Sequence, residues 1–231
     1  MPLLASNTAH NSLEDAREIG FRRCAQDLRG VFLTTPLGWL LVGWIGWDAL
    51  PRERLCLWLG GFALSWAASL LLLTRLLRRP DLRRQRDGWM LYTAAAVDGL
   101  AWGAIVLLPD AASQALLPWL IVILCGATAV TAPVYAPCMR AHLAYLAGLY
   151  VVVLGNALLH LREPDHLRIT AGLTLFLVLL AWYMRRIARA ALDTIRLQIE
   201  NTALNERLSD LLRVARRDAE TDALTGLANR R

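Results

Sequence analysis

Asp98 stands in the middle of LYTAAAVDGLAWGAIVLL, a run that otherwise carries no charged group. If the run crosses a bilayer, a carboxylate at its centre costs at least ~3 kcal/mol and must face protein or a wet cavity. Three chemistries suit it there: contact with a ligand amine, a proton-linked switch, or a polar clasp between helices; the purely structural alternative is a protonated or water-bridged Asp98 hydrogen-bonded to a neighbouring Thr such as Thr128. Asn156, in VVVLGNALL, is the second candidate for sensing, although neutral amides often only hold helices together. His142 and His160 sit at the ends of apolar runs and are expected at an interface, where His142 beside Arg140 is placed to respond to pH. Cys24, Cys56, Cys125 and Cys138 form no C-x-x-C pair and fall on different segments. They read as small apolar filler, and no metal site or disulfide framework is expected.

These residues need elements to hold them. At 56% hydrophobic and a mean hydropathy of +0.40, the 231 residues suit a membrane bundle. Six apolar segments, at about 31–47, 55–77, 89–108, 116–135, 143–160 and 167–184, approach the ~20 residues that cross ~30 Å of hydrocarbon. The expected fold is therefore an all-α membrane protein with six transmembrane helices. Ahead of them, residues 1–11 read as unstructured, and a short amphipathic surface helix follows from Ser12, giving an N-terminal segment 1–30 before a membrane domain 31–184. No cleavable signal is visible, so the first membrane helix is expected to double as the targeting signal. Pro36 and Pro133 lie within segments and predict kinks. Gly99 and Gly103 make a small-x-x-x-small face for close helix approach.

Arginine placement sets the expected orientation. The net charge of +6 comes from 25 Arg with no Lys, and the Arg side chains gather at segment ends, which argues against a nucleic-acid partner. The N-terminal stretch, TRLLRRPDLRRQR, Arg140 and the cluster Arg185, Arg186 and Arg189 put fourteen Arg on one side. The opposite loops hold Arg52, Arg54 and Arg162. The Arg-rich side is the cytoplasmic one, with both termini inside. Trp47, Trp58, Trp89, Trp119 and Trp182 lie near segment ends, where the headgroup layer suits them. The external loops are too short for a binding domain, so a stimulus must be small, lipophilic, or a property of the bilayer itself.

Residues 185–221 contain no Gly or Pro. Ala190, Thr194, Leu197, Asn201, Leu204, Leu208, Leu211 and Ala215 repeat with steps of four and three, a heptad seam. Asn201 takes an a position, which fixes register, and Leu at d suits two parallel strands. The segment reads as a long cytoplasmic coiled coil in a parallel homodimer.

The stretch DALTGLANRR, 222–231, closes the sequence. Asp222 can cap a helix or bond an Arg, and Gly226 lets the chain turn. The stretch resembles the start of the GGDEF (diguanylate cyclase) domain, whose members commonly carry a sensory region, a signalling helix and then D-x-L-T-G-L-x-N-R-R. Asp222, Leu224, Thr225, Gly226, Leu227, Asn229, Arg230 and Arg231 match that pattern position for position. The resemblance implies a hinge at 222–231 that couples stalk to catalytic domain, with Asp222 and Arg230 as a locking ion pair. It implies a parent enzyme in the bacterial inner membrane that makes cyclic di-GMP from two GTP, with Mg2+. The family's metal-binding carboxylates, guanine-reading residues and Gly-Gly-Asp-Glu-Phe turn are not in these residues. The chain is thus expected to be a regulatory part, without catalytic residues or cofactor of its own. Two alternatives compete: the sensor of another signalling protein such as a histidine kinase, and a small transporter using Asp98.

Overall fold

The computed structural model describes the backbone of residues 2–79, 81–160 and 164–220, and the side chains within 14–79, 81–160 and 166–216. Every long element among them is an α-helix. In order these are α1 (Pro2–Gly46), α2 (Arg52–Leu77), α3 (Arg84–Gly103), α4 (Leu117–Tyr135), α5 (Met139–Leu159) and α6 (Pro164–Glu220), with short 3-10 turns at Ala104–Leu107 and Gln114–Leu116. Six helical stretches are long and apolar enough to cross a membrane. The chain divides into two compact units, Arg17–Leu192 and Met1–Ala16 with Asp193–Arg231.

Within Arg17–Leu192, α3 is the central helix, packed most closely on α5 and next on α2. The α3–α5 contact exists because three glycines remove the side chains that would block it. A Cβ on Gly99 would collide with the Tyr145 carbonyl, and one on Gly148 with the Ala96 carbonyl. A Cβ on Gly103 would sit 2.7 Å from the Leu149 oxygen. The small-residue face at Gly99 and Gly103 thus meets a matching glycine on the facing helix, and the two backbones touch.

Prolines and helix ends expose carbonyls, and α2 supplies indoles to meet them. Pro36 lies inside α1 and has no N–H for the carbonyl of Phe32, four residues back. Trp66 Nε1 donates to that oxygen at 2.6 Å. Where α3 tightens into the 3-10 turn, Trp58 Nε1 donates to the Ala101 carbonyl at 3.0 Å. Trp58 is therefore a core residue, packed edge-on against Phe62 at 5.2 Å, and not the interfacial ring that its position near a segment end suggested. Phe62 in turn meets Trp102 edge-on at 5.1 Å and Trp39 at 6.0 Å. Trp47, Trp89, Trp119 and Trp182 are exposed on the protein.

The N-terminal expectation needs correction. The backbone is helical from Pro2 through Gly46, so no break separates a surface helix from the first apolar segment. Phe21, Cys24, Ala25, Leu28 and Phe32 recur at helical spacing and are buried in the main core. Apolar side chains that the sequence offered to a membrane surface are covered by protein instead. Glu18 on the same helix accepts the Arg84 backbone N–H at 2.8 Å, which ties α1 to the start of α3.

Candidate sensing site

Asp98 is buried on α3 at 6% exposure. Among the described residues nothing hydrogen-bonds to its carboxylate or pairs with it. Tyr135, from the end of α4, and Tyr145, from the first half of α5, are both fully buried within electrostatic reach of it. The Tyr135 and Tyr145 rings stack at 5.7 Å, and Tyr135 lies 5.8 Å from the His142 ring. The local logic is helical spacing. Leu124, Thr128, Ala132 and Tyr135 form the buried face of α4, and His142, Tyr145 and Leu149 that of α5.

Thr128 belongs to this cluster but not as the clasp for Asp98. Its hydroxyl donates to the Leu124 carbonyl at 2.7 Å and lies 3.3 Å from the Tyr145 hydroxyl. The helix backbone claims the Thr first, as it commonly does for a Thr inside a helix. His142 also departs from expectation. It is fully buried rather than interfacial, because its position on α5 turns it toward Tyr135 and away from Arg140's exposed side.

The cluster is short of hydrogen bonds. The Tyr135 hydroxyl and both ring nitrogens of His142 are buried with no partner among the described residues. A buried donor or acceptor left unmatched costs about 1–3 kcal/mol, so such groups ordinarily have a water, an ion or a ligand to satisfy them. Asp98, Tyr135 and His142 are thus buried polar groups of the same core whose hydrogen-bonding capacity the described protein leaves unused. They make no nucleophile–base pair, and among the described residues no group of three or more His, Cys, Asp or Glu is placed to hold a metal ion.

Asn156 is not brought to Asp98. It lies on α5 eleven residues beyond Tyr145, about 16 Å along a helix, and is 8% exposed. It lines a separate cavity of about 450 Å³ with Arg54, Pro109, Asp110, Gln114 and His160. In that region Asp110 Oδ1 accepts the Ser113 hydroxyl at 2.6 Å and the backbone N–H groups of Ser113 and Ala112. The Ser113 bond, with the backbone bonds behind it, holds the Asp110 carboxyl below the usual carboxylate range.

Two features escaped the sequence reading. Asp87 is fully buried and accepts bonds from the Arg79 and Arg86 side chains and the Arg83 backbone N–H, which caps α3. The signal was available as a carboxylate directly after the Arg run, in the first turn of a helix. Cys24 and Cys138, read as independent filler, are brought together. The Cys24 thiol donates to Cys138, which brings the Cys138 thiol down to about 7.

On α6, Asn201 is exposed, as are Leu197, Leu204, Leu208 and Leu211, while Ile195 is buried. Arg196 and Glu200 pair at 2.8 Å beside that row. The hinge candidates Asp222, Leu224, Thr225, Gly226, Asn229 and Arg230 lie outside the described residues. No protein-family model matches the chain, and neither a curated protein nor a solved structure is measurably similar to it.

Proposed function

We propose that the chain is the membrane-embedded sensor and transducer region of a diguanylate cyclase. The observation that carries the reading is the D-x-L-T-G-L-x-N-R-R stretch at 222–231, placed directly after a helix that runs from Pro164 to Glu220 without a break. A stiff rod between an apolar bundle and a hinge is the mechanical part such an enzyme needs. Two catalytic domains must meet to join two GTP molecules, and a parallel dimeric stalk brings them together.

Membrane insertion is supported by the side chains that the chain leaves uncovered. Trp44, Leu57, Leu64, Val130 and Leu159 are each at least 74% exposed, a cost in water that lipid removes. The Arg asymmetry orients the bundle with the α2–α3 connection and both termini in the cytoplasm. Trp–Arg pairs suit the two headgroup layers. Arg186 stacks over Trp182 at 4.8 Å on the Arg-rich side, and Arg52 over Trp47 at 5.6 Å on the other. The exposed Leu row with Asn201 suits a parallel homodimer through α6. Asp98, with the unsatisfied Tyr135 and His142, is the point in the bundle where occupancy or protonation would alter the packing of α3, α4 and α5.

The test is cyclic di-GMP formation from GTP and Mg2+ in membranes carrying the complete gene. The reading expects formation, and expects Asp98→Leu to change the rate without loss of the protein from the membrane. A reading frame that continues past Arg231 into a phospho-accepting His helix, with no cyclase activity, contradicts it. Transport of an ion by the purified chain in liposomes would favour the transporter instead.

A further inference from the structure

Three short connections converge on the cavity beside Asn156. Arg54 comes from the start of α2, Leu107, Asp110 and Gln114 from the segment between α3 and α4, and Asn156 and His160 from the end of α5. The volume, about 450 Å³, is that of an ordinary small-molecule pocket, for which ~300–1,000 Å³ is typical. All of it lies within the unit Arg17–Leu192.

The polar groups around it are fixed, and part of their capacity is unused. Arg54 Nη1 donates to the Pro109 carbonyl at 2.8 Å, which anchors the guanidinium and leaves the rest of its fork for another acceptor. Asp110 uses Oδ1 for its three local bonds, and Oδ2 takes none of them. The His160 ring bonds through Nδ1 to the Asn156 backbone carbonyl at 2.9 Å. A carbonyl only accepts, so Nδ1 carries the hydrogen and a neutral ring presents Nε2 as an acceptor. Asn156 is 8% exposed and borders the cavity, and its side-chain amide makes no hydrogen bond to the described protein. An amide that faces a cavity with both its donor and acceptor unused is available to a ligand.

We propose that this cavity binds a small zwitterion of the amino-acid class, with its carboxylate on Arg54, its ammonium on Asp110 Oδ2 and its apolar body against Leu107. The charge pattern decides the class. Among the described residues one full cation and one full anion border the cavity, so a simple anion would face Asp110 and a simple cation Arg54, whereas a zwitterion offers each its opposite. Asn156 and Gln114 supply the remaining donors and acceptors. Under the orientation argued above, the cavity opens on the non-cytoplasmic side, so the proposal rests on that reading and gives the transducer an external stimulus. Occupancy would tie α2, the α3–α4 connection and α5 together at one end of the bundle.

The experiment is isothermal titration of the full chain in detergent micelles with L-valine, and separately with isobutyrate and isobutylamine as one-charge analogues. The expected result is saturable binding of L-valine, with both analogues weaker by about tenfold or more. Asn156→Ser and Gln114→Ala should each weaken L-valine by a similar factor, with thermal unfolding of the unliganded variants unchanged. No binding of L-valine to the wild type, equal binding of either analogue, or full binding by both variants overturns the proposal. If L-valine fails while cyclic di-GMP formation by the parent enzyme is intact, only this site is lost. If binding holds while the parent makes no cyclic di-GMP, the site stands and the cyclase reading falls.

Discussion

Helices α3 and α6 contain equally apolar membrane-length stretches, yet 56% of that stretch in α3 is buried within the chain against 17% in α6. Hydropathy therefore does not say what covers a helix. α3 is covered by its own chain through Gly99, Gly103 and Gly148, where backbone meets backbone. The apolar side chains of α6, among them Leu175, Val178, Leu179 and Leu208, stay exposed on the chain, and the proposed function covers them with lipid or a second copy. In the proposed sensor the two kinds of helix would divide the work, α3 responding to internal packing and α6 passing the change on.

The largest expected effect breaks the α3 side of this contrast. Gly148→Leu forces a side chain into the Ala96 carbonyl and should cost about 3 kcal/mol or more, enough to lose the folded bundle in a detergent melting experiment. The matched change Gly155→Leu on the same helix, where a Cβ meets nothing within 4 Å, should leave melting nearly unchanged. If the two variants melt alike, the α3–α5 contact is not what holds α3.

Next in size is Trp66→Phe. It keeps the ring but removes the donor to the Phe32 carbonyl that Pro36 leaves open, at a cost of about 1–3 kcal/mol in melting experiments. Pairing it with Pro36→Ala should recover part of the loss, since the helix then supplies its own donor. On the α6 side, Leu208→Arg should shift the melting of the chain by less than about 0.5 kcal/mol because Leu208 is exposed, while abolishing trapping of a dimer.

The smallest effect concerns pH. Asp110 is held below its ordinary range by Ser113, so its contribution is fully present above the unfolded value of ~3.9 and is lost as pH falls through the lower folded value. Ser113→Ala should flatten the fall in melting temperature below about pH 4, and an unchanged acid limb would remove Ser113 as the cause.

How much of this was legible beforehand follows the same division. The six apolar helices could be read because length and hydropathy are properties of single segments. The small-residue face at Gly99 could be read because its spacing lies on one helix. The cluster around Asp98 could not, since it requires knowing which faces of α4 and α5 turn toward α3. Tyr135 and Tyr145 carry no distinguishing signal in the sequence, and His142 looked interfacial because it stands near a segment end. Trp58 and Trp66 were missed as capping donors because the carbonyls they meet are freed by a proline and a helix end on other segments. Asn156 stands out in the sequence as an amide in an apolar run, but its surroundings at the opposite end of α5 from Tyr135 arise only from three connections meeting.

The central claim is that α6 joins two copies in register through the row containing Asn201. Disulfide trapping of Asn201→Cys in native membranes, on a background lacking the native cysteines, tests it most directly. The account predicts a trapped homodimer for Asn201→Cys and none for Arg207→Cys, which lies off that row. Equal trapping at both positions, or a monomer at both, would contradict it.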